Sequence, residues 1–228
     1  MMYIYNHFRL MQLQDIKLYR MTHIDNIPHI LSNGITHRSS QNANPNYINI
    51  GDLSLIDNRT TKAVRINNGN ILNIFSPSLV LGDCIPFYFG IKMPMLYVIQ
   101  NGGNFVQKAT NPQDIIYVVC SLKSISTTHK DFFFSDGHAT DNLTSFYDSS
   151  KTADLPSIID WNAIRASFWG GEENLNIKRK KQAEFLVLKD VEVDHIVGYG
   201  CFNEAAKQNL LNLRISENRI KVIPYAYY

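Results

Sequence analysis

Lys178-Arg179-Lys180-Lys181-Gln182-Ala183-Glu184-Phe185-Leu186-Val187 sets four cations in a row before an acid that opens an apolar run. The run Ala183–Leu188 has the length and β-branched, aromatic content of a buried strand. Glu184 is then either a charged strand end or an acid placed for chemistry. The basic run taken alone reads as a solvated turn. Downstream, His195–Tyr199 and Arg219–Ile223 read as further strands around a helix at Glu204–Leu213. Upstream, Ile115–Leu122 is almost continuously apolar, as a central strand covered on both faces would be, and Phe132–Phe134 is a shorter one.

Toward the amino terminus, Leu18–His23 predicts a first strand and Asn26–Asn33 a short helix. Pro28 stands in the helix's first turn and Gly34 can end it. Residues 36–50 form an Asn-rich loop, Asp52–Asn58 a short helix leading to Arg59, and residues 67–70 another loop. The apolar stretch Ile85–Phe89 follows. Pro94–Gln100 reads as a helix stopped by Asn101-Gly102-Gly103. Residues 139–183 hold short helices and loops, including Asp160–Phe168 and Gly170–Lys181. Strands scattered among irregular helices predict an α+β fold. With no repeat or linker, the whole chain, residues 1–228, is expected to be a single domain.

Charged residues make up 18 %, against about 25 % in an average domain. The 22 basic and 20 acidic side chains leave a formal charge of +2, so no global polycation grips nucleic acid. A hydrophobic share of 45 %, 12 Tyr, 12 Phe and 23 Asn exclude disorder, collagen and coiled coil. The wide spacing of Cys84, Cys120 and Cys201 suits free buried thiols in a reducing compartment. Asn6, His7, Arg9 and Asp15 interrupt any signal-peptide core. Lys92 and two prolines interrupt Ile85–Ile99, so a cytoplasmic protein with no membrane span is expected.

The common phosphate-cradling glycine loops are absent, as are Gly-x-Ser-x-Gly and any His-Glu-x-x-His or Cys/His spacing. P-loop hydrolases, Rossmann dehydrogenases, zinc deaminases and serine hydrolases are disfavoured, and no metal is expected.

Several segments together resemble the DarT family, toxins that transfer ADP-ribose from NAD to bases in DNA. They are Tyr19-Arg20-Met21-Thr22-His23-Ile24-Asp25-Asn26-Ile27-Pro28, Asp57-Asn58-Arg59, and Gly82-Asp83-Cys84-Ile85-Pro86-Phe87-Tyr88-Phe89 with Pro94-Met95-Leu96-Tyr97. Phe134-Ser135-Asp136-Gly137-His138, Ile159-Asp160-Trp161, Ala166-Ser167-Phe168-Trp169 and Lys181-Gln182-Ala183-Glu184-Phe185-Leu186-Val187 continue them in the family's order.

The resemblance implies an ADP-ribosyltransferase-like fold, a split and bent central sheet with an NAD cleft and peripheral helices. It places Arg20, Met21 and Thr22 on the strand that holds NAD, partly through backbone groups. Some relatives carry His where this chain has Arg20, which donates but does not accept. His23 is a further ligand or a strand-end core residue. Tyr88 and Met95 match the nicotinamide pocket, where a flat aromatic and a thioether suit a planar cation, or else they pack the core. Glu184 matches the catalytic carboxylate and Arg59 the arginine that meets NAD phosphates and the acceptor base; without the match, Arg59 is equally a surface ion-pair residue.

The segment of about residues 138–184 matches the substrate-recognition loop. His138, Arg165, Trp169, Lys178 and Lys181 are its candidate substrate contacts, beside Tyr147, Trp161 and Phe168. Rings interleaved with cations suit unpaired bases, and chemistry on a base edge needs that base out of a duplex. His138 alternatively only organises the loop. By resemblance the enzyme is a monomeric toxin that modifies thymidine in single-stranded DNA and blocks replication, countered by a DarG-type macrodomain antitoxin. Alternatives are a transferase of the same fold acting on guanosine, RNA or protein, and a non-enzymatic single-strand-binding domain.

Overall fold

In the computed structural model, residues 11–70, 72, 75–103, 106 and 108–228 are described. The signal-peptide expectation rests partly on Asn6, His7 and Arg9, which lie outside them. The strands are β1 (Lys17–His23), β2 (Ala63–Arg65), β3 (Ser78–Val80), β4 (Ile85–Tyr88), β5 (Ile115–Ser121), β6 (Phe132–Ser135), β7 (Phe146–Asp148), β8 (Glu184–Val187), β9 (Ile196–Cys201) and β10 (Ile220–Val222). The helices are α1 (Ile27–Asn33), α2 (Leu53–Thr61), α3 (Pro94–Asn101), α4 (Leu122–Thr128), α5 (Leu155–Ile158), α6 (Trp161–Arg165), α7 (Leu175–Lys181) and α8 (Glu204–Asn212), joined by 3₁₀ turns. None of the described helices is long and apolar enough to cross a membrane.

Eight strands form one sheet in the order β10-β9-β5-β1-β4-β8-β6-β7, and β2 pairs with β3 apart from it. Neighbours run antiparallel except β9 and β10. The sheet is weakest at its middle. β1 pairs with β5 along its whole length but meets β4 only at Tyr19↔Tyr88. That single register pair divides the sheet into two halves, as the resemblance implies.

The split explains how Pro86 sits in an interior strand. A proline has no N–H for a ladder and is normally kept to edges. β1 offers no ladder partner at this point, and the Arg20 Nη1 donates to the Pro86 carbonyl at 2.9 Å instead.

β5 is covered on both faces, as its apolar run requires. Ile116, Val118 and Cys120 enter the largest core cluster, while Ile115 and Tyr117 enter a second one with Leu96 and Tyr227. Each such side chain removed from water contributes about 1.5–3 kcal/mol. All three cysteines are free and buried. Burial pushes the Cys84 and Cys120 thiols up to about 12 and Cys201 to about 11, so they stay protonated at neutral pH.

Local signals place most elements. Pro28 lies in the first turn of α1, and Gly34 ends it with φ of +77°, its N–H donating to Ile30. Gly34 allows nothing larger, because a Cβ there would collide with the Val191 carbonyl. Two expectations are corrected. The apolar run does not continue as strand through Leu122: Ser121 caps Ser124 and starts α4. The helix expected at Asp52–Asn58 runs to Thr61, which brings Arg59 inside its last turn.

Candidate active site

β8 begins on Glu184, and the end of β6 and the loop after it each hold that residue. The Glu184 N–H donates to Ser135 Oγ at 3.0 Å, and Ser135 Oγ donates to the Gly137 carbonyl at 2.7 Å. The Ala139 N–H donates to Glu184 Oε1 at 3.2 Å. The carboxylate is 1 % exposed, an arrangement that removing charge from water disfavours unless the charge is paired.

Arg59 supplies the pairing. Its Nη1 donates to Oε1 at 3.1 Å and lies 2.9 Å from Oε2. α2 is built to deliver it: buried Asp52 caps the helix by accepting from Ser54 and Leu55 N–H, at 2.9 and 3.2 Å. Arg59 stands in the last turn, where the helix dipole favours a cation. Gly82 lets the next turn approach: a Cβ there would come 2.7 Å from the Thr60 Cα.

The pair is not internally complete. Arg59 Nη2 and Glu184 Oε2 are buried without a hydrogen-bond partner; the 2.9 Å approach to Oε2 is a charge contact rather than an aligned bond. A buried donor and acceptor left open together are costly unless a ligand takes them up.

Beside the pair is a cavity of about 430 Å³, lined among others by Arg20, Thr22, Asn26, His37, Arg59 and Pro86. This volume falls within the range of small-molecule and cofactor pockets. Thr22 is buried and accepts from Asn26 Nδ2 at 3.0 Å. Asn26 also donates to the Ile48 carbonyl at 2.8 Å and accepts from its N–H at 2.9 Å, folding the 36–50 loop against the cavity. His37 Nε2 lies 2.8 Å from the Gly82 carbonyl. Asn26 and His37 were not expected at the site: a buried amide pinning a loop leaves no spacing signature.

Alternation separates the other expected residues. Arg20 and Thr22 face the cavity, whereas Met21 and Tyr19 turn to the opposite side and pack with Met95 on the cluster around Leu96 and Tyr117. Tyr19, Tyr88 and Glu184 stand in register across β1, β4 and β8, and directly opposed residues share a face. Met21, Met95, Tyr88 and Glu184 are thus gathered on one face of the sheet. Burial raises the Tyr88 phenol above its ordinary value, with the Glu184 charge adding to it, so Tyr88 is a neutral donor. His23 accepts from the Asp25 N–H at 3.2 Å and caps the turn before α1.

The substrate-loop residues divide differently from expectation. Lys181 is corrected: it is 2 % exposed, its Nζ donates to the Ile164 carbonyl at 2.9 Å, and burial lowers its pKa to about 8. It ties the loop rather than reaching a phosphate. Arg179 pairs with Asp136 at 3.2 Å, Lys180 with Asp160 at 2.9 Å, and Lys178 lies over the Trp169 ring at 5.2 Å. The basic run is therefore a set of ties, not a bare solvated turn. His138 organises the loop through its backbone, its N–H donating to Arg179 and its carbonyl accepting from Thr144 Oγ1, both at 2.9 Å. Burial lowers the imidazole pKa against the opposing pull of Glu184, which keeps the ring neutral at pH 7.

Trp161 is a core anchor, donating to the Pro156 carbonyl at 2.8 Å and lying edge-on to Phe89. Tyr147 stacks on Phe134. Trp169 joins Tyr97 and Tyr228 in an edge-to-face cluster, its Nε1 donating to the Tyr228 hydroxyl at 2.8 Å, and Lys92 lies over the Tyr228 ring at 5.0 Å. Tyr97, Tyr228 and Phe168 are exposed. Arg165 lines a second cavity with Tyr19, Phe89 and Lys92.

A split sheet with an open Arg–Glu pair at its parting defines an ADP-ribosyltransferase-type protein. The family model described as "ssDNA thymidine ADP-ribosyltransferase, DarT" matches residues 19–228. The chain belongs to the DarT family. It is 30 % identical over 207 residues to the DNA ADP-ribosyl transferase of Escherichia coli O127:H6, covering 90 % of this chain and 89 % of that one. It is 32 % identical over 174 residues to the enzyme of that name from Thermus sp., covering 75 % of this chain and 74 % of that one. The solved structure of Thermus sp. 2.9 DarT with ADP-ribosylated ssDNA superposes with a TM-score of 0.75 at 26 % identity, over 93 % of this chain and 96 % of that one. A structure of the same protein with NAD+ gives 0.69 at 25 % identity, over 93 % of this chain and 98 % of that one.

Proposed function

We propose that this chain transfers ADP-ribose from NAD to a thymidine base in single-stranded DNA, releasing nicotinamide. The observation that carries the proposal is the buried Arg59–Glu184 pair, with one donor and one acceptor left open at the split. Its family membership, and the NAD+ and DNA complexes of Thermus sp. DarT, support the choice of substrates.

In the transfer, the bond from nicotinamide nitrogen to the ribose carbon breaks and nicotinamide leaves with the electron pair. Positive charge develops on the ribose. Glu184 is the acid held to stabilise that charge and to accept a ribose hydroxyl through Oε2. The base attacks the same carbon and loses its ring proton to solvent. Arg59 stays protonated, so its open Nη2 polarises the base and stabilises its developing anion. Arg20 and Thr22 line the side proposed to hold the rest of NAD, and Tyr88, Met95 and Met21 the side proposed for nicotinamide.

A bulky adduct on a template base blocks copying, which accounts for toxicity. The proposed antidote is a DarG-type macrodomain protein that removes the adduct. A Thermosipho africanus relative is named a fusion of DNA ADP-ribosyl transferase with DNA ADP-ribosyl glycohydrolase; it is 27 % identical over 209 residues, and this chain covers 48 % of it. Three free buried cysteines suit the reducing cytoplasm.

The test is intact-mass analysis of oligonucleotides incubated with NAD, followed by digestion to nucleosides. An ADP-ribose adduct recovered on thymidine supports the proposal. An adduct on guanosine, RNA or protein alone overturns the thymidine assignment, and no adduct on any of these acceptors overturns the enzymatic one.

A further inference from the structure

A second cluster of titratable side chains lies on other elements. His129 follows α4, while Glu192 and His195 stand in the connection between β8 and β9. The Nε2 atoms of His129 and His195 approach one carboxylate oxygen, Oε2 of Glu192, at 2.9 and 3.0 Å. The candidate ligand atoms of these three residues all lie within 4.8 Å of one another. The two imidazoles are mostly covered and the carboxylate faces solvent. We propose that His129, Glu192 and His195 form a zinc site, separate from the transferase site, that clamps the end of α4 to the β8–β9 connection.

Two imidazoles and a carboxylate are a set that zinc takes with water in the fourth position. Imidazole ligands favour zinc and its neighbours over magnesium or calcium, which prefer oxygen. In a tetrahedral site with zinc–nitrogen bonds of about 2.0–2.1 Å, ligand atoms stand about 3.3 Å apart. The two observed separations from Glu192 are close to that, and the three atoms already lie within 4.8 Å of one another.

The surroundings fit as well. Ser124 Oγ lies 2.7 Å from His195 Nδ1, where it can accept that ring's N–H and leave the Nε2 lone pair facing Glu192. A lone pair and a carboxylate that face each other are unfavourable until a cation lies between them. Thr128 Oγ1, 3.2 Å from the same Nε2, adds a hydroxyl beside the open position. The ring planes of His129 and His195 are inclined by 66° and their centroids are 5.3 Å apart, so both edges converge without stacking. Sequence spacing hides the set, since His129 and Glu192 are 63 residues apart.

The test is calorimetric titration of the untagged, chelator-stripped full chain with zinc chloride, with magnesium chloride as a control. The expected result is one zinc per chain, a higher melting temperature with zinc, and no magnesium binding. His129→Gln and Glu192→Gln should each weaken zinc binding about 10-fold or more. Both should leave NAD-dependent transfer unchanged. Cobalt chloride should give a visible absorption band that both substitutions abolish. Buried His195 is left intact, so that a folding failure does not obscure the result. No stoichiometric zinc uptake, or equal affinity in both variants, overturns the proposal and leaves a hydrogen-bonded cluster only.

Discussion

Arg59 Nη1 lies between the two oxygens of Glu184, 3.1 Å from Oε1 and 2.9 Å from Oε2. The contact brings the last turn of α2 against the first residue of β8. Both groups keep an open hydrogen-bonding valence while the fold holds the pair in place.

Glu184→Gln separates these two roles. The amide keeps the shape and can still accept from the Ala139 N–H, but loses the charge that would face the ribose cation. Turnover of NAD with an oligonucleotide should fall about 10²- to 10³-fold, with a smaller loss of stability than truncation of the side chain causes. Glu184→Ala instead leaves Arg59 without its partner and should cost about 3 kcal/mol of stability in denaturant unfolding. Wild-type transfer by Glu184→Gln would remove the carboxylate from the mechanism.

Gly82→Ala tests the positioning of Arg59 without touching it. The new Cβ would lie 2.7 Å from the Thr60 Cα and 2.9 Å from the Arg59 carbonyl, so the end of α2 must move. A displacement near 1 Å at a reacting group costs about 10²-fold in rate. The expected outcome is a kcat loss with the chain still folded by circular dichroism. A full-rate Gly82→Ala enzyme would mean that the turn is merely close.

What was legible in the sequence follows from periodicity and punctuation. β5 shows as an apolar run because both its faces are covered, and α1 shows through Pro28 and Gly34. Glu184 shows locally as an acid opening an apolar run, but its partner does not: 125 residues separate the two, and only the segments taken together single out Arg59. The three-residue strands β2, β3 and β7 are too short to display alternation, and α4 was masked by the strand run that it caps. Lys181 misled for a plain reason: composition places a lysine among cations at the surface, whereas the fold turns its ammonium inward to Ile164.

Lys181 also gives a pH signature. Burial lowers its pKa to about 8 from 10.5, so above pH 8 the folded chain sheds a proton that the unfolded chain retains. The Lys181 contribution to stability therefore rises with pH between 8 and 10.5, where the unfolded lysine holds its proton and the folded one has lost it. The three buried thiols, raised to about 11 and 12, oppose this as their unfolded counterparts ionise from about pH 8.5, and the raised tyrosines, including Tyr117, add to it near 10. Chemical denaturation of wild type and Lys181→Met at pH 8 and pH 9 cancels the thiol and phenol contributions common to both, and the stability of wild type relative to the variant should rise with pH. Parallel curves would mean that the ammonium is solvated.

The rings of Tyr97, Trp169 and Tyr228, with Lys92 and Lys178 beside them, have the composition of a stacking platform for unpaired bases. α3 carries Tyr97 two residues from Met95, which packs with Tyr19 and Met21 on the Tyr88–Glu184 side of the sheet. The platform is thus on the same side as the proposed nicotinamide site. Loss of a stacked ring weakens single-strand binding by about 1–3 kcal/mol. Tyr97→Ala should raise the oligonucleotide Kd about 5-fold or more, with the Kd for NAD unchanged. Tyr228→Phe keeps the ring and removes only the hydroxyl that accepts from Trp169 and donates to the Lys92 carbonyl. It should bind near wild type if stacking is the source of affinity. Equal weakening in Tyr228→Phe and Tyr97→Ala would instead assign the cluster to anchoring the loop, since Tyr228→Phe keeps every ring of the platform.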